Sequence, residues 1–228
     1  MSTVSYIKDS LGRQLNERRE YSLFNNVTVF IKDPLPKNVN MTLVIRHIEK
    51  RLPRNLANSL DAVYVGEFKE LNTREVESVY LDGAIFISNK QENEEMMASS
   101  IVHEIAHCLE EQFGEGIYGD SEIIDEFNWK RKKLLELLAQ QGFQYPDKKL
   151  HLKTDFDERF DQFLYKEVGY QRLNYITNGL FLTPYACTSL REYFSNGFEH
   201  YFMGENSYLK KISPKLYSKI NSLTKEIA

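Results

Sequence analysis

Of the 228 residues, 42% are hydrophobic and 13% aromatic, enough to close a core, so intrinsic disorder is excluded. Basic and acidic residues interleave, 29 against 33 for a net charge of −4, which leaves no basic footprint for nucleic acid. No apolar run approaches the ~18–20 residues of a membrane span, and two cysteines are too few for a disulfide framework.

The N-terminal residues 1–19 are polar and lack the apolar segment of a signal peptide. The expected setting is the cytoplasm, or export by another route, or secretion after removal of a leader. Residues 27–31 (Val-Thr-Val-Phe-Ile) predict a strand, stopped by Asp33-Pro34-Leu35-Pro36. Residues 40–51 predict a helix that ends before Pro53, with His47 an ordinary helix histidine. Residues 62–65 read as a short strand. Residues 76–80 and 83–88 form an expected hairpin, because Asp82-Gly83 is a strong two-residue turn signal. The second strand of that hairpin, 84–87, reads equally well as a sheet edge able to pair with an extended peptide and as a buried core strand.

The next segment carries the most informative motif. His103-Glu104-Ile105-Ala106-His107 places two imidazoles four residues apart on one helical face, where both can reach a single metal ion. Glu104 beside them can deprotonate a water without ligating the metal. A helix is expected here: Glu94 and Glu95 load its first turn with negative charge, and Met97, Ile101, Ile105 and Leu109 repeat at a four-residue period. Gly114 is its expected end. Cys108 points about 100° away from the metal face and reads as a small buried apolar residue. A bridge from Cys108 to Cys187 is conceivable.

Ser121 is the expected cap of a helix running to about residue 141, with Ile124, Phe127, Leu134, Leu135 and Leu138 apolar and Gly142 as its stop. A charged, aromatic stretch over 145–175 follows, helical around 156–165. Residues 189–202 and 214–227 predict two further helices. Strands come first and helices after, which favours an α+β fold over a doubly wound sheet. The expectation is one domain: a small mixed sheet with an edge strand over the HExxH helix (an α/β part over about 22–117) and a mostly helical part over about 118–228.

A catalytic zinc site needs a third protein ligand and an open fourth position. The metzincin extension is excluded, because Glu110 and Phe113 stand where that class needs glycine and histidine. A thermolysin-like arrangement would use Glu122 or Glu126 on the next helix, although the surrounding residues lack that family's context. A third stretch, Tyr185 followed by Arg191-Glu192-Tyr193-Phe194-Ser195-Asn196-Gly197-Phe198, resembles the second signature of the anthrax lethal factor-like metallopeptidases, which are HExxH gluzincins. In that family the ligand glutamate opens a Glu-Phe-Phe-Ala-type helix, and a catalytic tyrosine precedes it by seven residues. The resemblance implies Glu192 as third metal ligand, with Glu199 the choice in a shifted register, and Tyr185 as catalytic tyrosine. Residues 213–221 look like the closing helix of the lethal factor protease domain.

The likeness covers 103–114 and 185 to about 227. Three departures accompany it: Ser195 replaces the usual alanine, Asn196 stands where lethal factor has a second glutamate, and the gap from His107 to Glu192 implies an insertion within about 120–175. His200 reads as a surface histidine. What the resemblance implies is a zinc endopeptidase in which Glu104 accepts the proton of a water activated by one zinc ion per chain, held by His103, His107 and Glu192. Tyr185 then donates to the developing oxyanion, and a peptide or protein substrate lies along an edge strand. A toxin or effector role follows from the family by analogy alone. The alternatives are a cytoplasmic HExxH regulatory protease of a mobile element and a non-catalytic zinc-binding interaction protein.

Overall fold

The computed structural model describes residues 19–69, 71 and 76–227, so most of the polar N-terminal segment lies outside the described residues. The chain divides into two compact units, Met1–Cys108 and Leu109–Ala228. The fold is α+β: strands belong to the first unit, and the second is helical.

In the first unit, strands β1 (Glu20–Leu23), β2 (Val27–Ile31), β3 (Ala62–Gly66), β4 (Ser78–Leu81) and β5 (Ala84–Ser88) form a mixed sheet in the order β1-β2-β3-β5-β4. The outer pairs are antiparallel, and β2-β3-β5 run parallel. The period-two pattern sorts side chains to two faces. Val29, Val63 and Ile85 are in register and fully buried. One residue on, Phe30, Tyr64 and Phe86 stack across the three parallel strands, with neighbouring ring centroids 5.2 Å apart.

The β4–β5 turn is Asp82-Gly83, both at positive φ (47° and 83°), the left-handed pair a type I′ hairpin demands. Glycine is further required at 83 because a Cβ would lie 2.5 Å from the Asp61 carboxylate. The topology settles the two readings of residues 84–87: β5 is interior, and the edges among the described residues are β1 and β4, the latter pairing with β5. Helix α1 (Met41–Arg51) is capped by Asn40, whose side chain accepts from Thr42 N, and its apolar face (Met41, Val44, Ile45, Ile48) is buried.

Helix α2 (Glu94–Tyr118) begins in the first unit and ends in the second. Asn93 caps it, its side chain accepting from Met96 N at 2.9 Å. The expected face is inside: Met97, Ile101, Ile105 and Leu109 are at most 2% exposed. The expected end at Gly114 falls beside a break in the helix. The helix kinks at Phe113 (φ −118°, ψ 18°) and continues to Tyr118. Buried Ile117 and a Tyr118 hydroxyl bonded to Glu110 anchor the helical stretch beyond the kink.

In the second unit, helix α3 (Glu122–Gln140) packs against α5 (Tyr170–Thr177), α6 (Leu190–Met203) and α8 (Pro214–Ile227). Ser121 does not cap α3 with its side chain. It adopts φ +62°, and Asp120 accepts from Glu122 N instead, at 3.1 Å. Of the apolar residues expected inside, Phe127, Leu134 and Leu138 are buried, while Ile124 and Leu135 are only half-buried. Lys130 and Arg131 are buried beside them. Arg131, with no exposed surface, donates to the carbonyls of Leu150, Lys153 and Thr188 and lies over the Phe127 and Phe160 rings. It thereby ties the 150–153 turn and the approach to α6 onto α3.

The helix expected around 156–165 is α4 (Glu158–Gln162), capped by Asp157, which runs on into a π-helical turn, Phe163–Val168. Gly169 (φ +79°) then separates it from α5. A short helix α7 (Asn206–Ile212) precedes α8. Gly197 on α6 marks a close approach to α8, since a Cβ there would meet the Leu216 side chain at 2.3 Å. Cys108 and Cys187 are buried and form no disulfide. No helix among the described residues is long and apolar enough to cross a membrane.

Candidate metal centre

His103 and His107 sit one turn apart on α2, their ring centroids 5.2 Å apart and their planes at 76°. His107 is buried and His103 half-buried. Glu104, between them in sequence, is 4% exposed. Its Oε1 accepts from Ser78 Oγ at 2.7 Å, so the first residue of edge strand β4 holds the carboxylate. Nothing in the sequence singles out Ser78, because the contact joins residues 26 apart whose meeting depends on strand order.

Glu192 occupies the first turn of α6. Ser189, the N-cap, accepts from Glu192 N at 3.1 Å, which places the carboxylate at the positive end of the helix dipole. Within the second unit, the end of α2 and the start of α6 are joined at Glu110. Its buried carboxylate accepts from the Tyr118 hydroxyl and pairs with Arg191 Nε at 3.4 Å. Burial and the adjacent Glu110 charge push the Tyr118 hydroxyl far above its ordinary value, so it remains a donor. Tyr118 also meets the Phe194 ring edge-on. The residue before Glu192 is therefore fastened to the part of α2 that belongs to the second unit.

One ligand atom from each of His103, His107 and Glu192 lies within 4.8 Å of the others. A tetrahedral zinc with ligands at about 2.0–2.2 Å sets its donor atoms about 3.4 Å apart. Two imidazoles and one carboxylate are the donor set of many catalytic zinc sites. The residues present fit such an ion.

The other carboxylates considered from sequence are engaged elsewhere. Glu126 accepts from the Tyr193 hydroxyl (2.7 Å) and from the backbone N–H groups of Lys215 (2.9 Å) and Leu216 (3.1 Å), capping α8. Glu122 pairs with Lys215. Glu199 is half-buried on α6 and is not in the cluster. His200, half-buried, lies 3.1 Å from the Glu205 carbonyl through Nε2. Tyr185 opens a 3-10 turn, Tyr185–Cys187, whose carbonyl accepts from Thr188 N and Thr188 Oγ1.

Ser195 and Asn196 both bond Glu192. Ser195 Oγ donates to its carbonyl at 3.3 Å, and Asn196 Nδ2 does so at 2.8 Å. No protein-family model, curated protein or solved structure matches this chain.

Proposed function

We propose that this chain is a zinc-dependent endopeptidase resembling the lethal factor protease domain. The observation that carries the reading is the convergence of His103, His107 and Glu192 on one point, with Glu104 buried next to them in sequence. A structural zinc site has no use for that fourth group and commonly closes its coordination with cysteines.

A bound zinc ion supplies the acidification of an attacking water and the polarisation of the scissile carbonyl. Glu104 takes the proton from that water and delivers it to the departing amine. The Ser78 hydroxyl at 2.7 Å restrains the carboxylate, which lowers the cost of orienting the base. Tyr185 donates a hydrogen bond to the carbonyl oxygen as it gains charge. The substrate is an extended peptide that adds to the outer side of β4 by main-chain hydrogen bonds. The contact from Ser78 to Glu104 brings that edge strand to the base.

A toxin or effector role and a regulatory role within a mobile element share this chemistry. Glu104→Ala tests the reading. The variant keeps its zinc and loses cleavage of a peptide library, whereas His103→Ala loses both. Full cleavage by Glu104→Ala removes the mechanism, and equal inactivity of wild type and variant favours a non-catalytic zinc protein.

A further inference from the structure

The proposed chemistry needs Glu192 and Tyr185 in fixed relation, yet they lie on different elements: the first turn of α6 and the 3-10 turn before it. Side-chain hydrogen bonds run from one to the other. Asn196, 6% exposed, follows Glu192 by one helical turn, and its Nδ2 donates to the Glu192 carbonyl at 2.8 Å. Its Oδ1 accepts from Thr183 Oγ1 at 2.6 Å. Thr183 Oγ1 in turn accepts from Ala186 N at 3.2 Å, inside the turn that begins with Tyr185. Between them Pro184 (φ −56°) holds the backbone at the residue before the tyrosine.

The residue types suit the task. A primary amide carries a donor and an acceptor on one plane, and a hydroxyl donates and accepts at one atom. A carboxylate at 196 could accept from Thr183 but could not donate to the Glu192 carbonyl. Satisfied side-chain networks of this kind favour one arrangement over its neighbours.

We infer that Asn196 and Thr183 are positioning residues that lock the Tyr185 turn to the Glu192 turn of α6, and so set the tyrosine against the metal ligand. The functional half of this inference rests on the peptidase reading above; the structural half does not.

The test uses the full chain with 3-fluorotyrosine incorporated at position 185 alone, read by 19F NMR with and without zinc. Thr183 is exposed, and Thr183→Val keeps its shape while removing the hydroxyl, so the fold survives the change. Wild type gives one sharp resonance. Thr183→Val and Asn196→Ala each shift or broaden it, the double variant goes no further than either, and Thr183→Ser restores it. On a cleaved peptide, Thr183→Val lowers kcat about tenfold at unchanged KM and unchanged zinc content, and Thr183→Ser recovers kcat.

An unaltered resonance in zinc-free Thr183→Val overturns the lock. A shifted resonance with unchanged kcat overturns the positioning role. A wild type that binds no zinc refutes the peptidase reading and the functional half with it, while the zinc-free spectra still decide the lock.

Discussion

Lys130 carries an ammonium group into the core of the second unit, at 1% exposure. Its Nζ donates to the Leu180 carbonyl and to Ser213 Oγ, both at 2.7 Å, and lies 5.5 Å and 5.2 Å from the Phe181 and Tyr193 ring centroids. Burial pushes the group down from its ordinary 10.5 to about 8, against an opposing pull from Glu126. Between those two values the unfolded chain holds more protons than the folded one, so stability rises with pH. The contribution is complete above 10.5 and is lost as pH falls through 8.

Lys130→Met keeps the bulk and removes the titration. Linkage then gives wild type about 2 kcal/mol of stability relative to the variant between pH 7 and pH 9.5. Urea unfolding of both proteins at the two pH values measures the difference, and the other titrating groups, common to both, cancel. If the two unfolding free energies change in parallel, the lysine is not held as described.

Gly197→Ala drives a Cβ into Leu216, which lies 2.3 Å from its ideal position. Overpacking of this kind costs about 1–3 kcal/mol, a fall in Tm of roughly 3–10 °C for a chain of this size. Gly116→Ala, on α2 with no atom within 4 Å, leaves Tm level or slightly raised in the same scan. A Gly197→Ala protein as stable as wild type contradicts the close approach of α6 and α8. Ser78→Ala frees the Glu104 carboxylate and lowers kcat by up to about a hundredfold with zinc content unchanged, read by steady-state kinetics beside elemental analysis. Unchanged kcat means that Ser78 does not hold the base.

What the sequence makes legible is local. His103 and His107 declare a shared helical face by spacing, Asp82-Gly83 declares its turn by φ preference, and Ser189 declares the start of α6 three residues before Glu192. Each signal spans a few residues and needs no knowledge of what packs against it. Strand order is different. The interior place of β5 and the edge place of β4 follow from pairings between residues tens of positions apart, which no local pattern reports.

Lys130 and Arg131 are buried on α3, although charge usually means exposure. Their carbonyl partners at Leu180, Lys153 and Thr188 come from later turns whose paths the sequence does not specify. The break beside Gly114 is legible in the glycine, while the helical stretch beyond it, to Tyr118, is anchored by the bond from Tyr118 to Glu110, which propensity alone does not contain. At the candidate site, Glu192 rested on a resemblance in spacing and residue type. Ser78, Asn196 and Thr183 act through contacts that exist only once the chain has folded.

The most direct test of the central claim is the metal content of purified wild type, Glu192→Ala and Glu199→Ala, by elemental analysis after dialysis against trace chelator. The account predicts one zinc per chain in wild type and in Glu199→Ala, and loss of it in Glu192→Ala. A wild type that takes up no zinc on reconstitution, or a Glu192→Ala protein that holds zinc as wild type does, would contradict it.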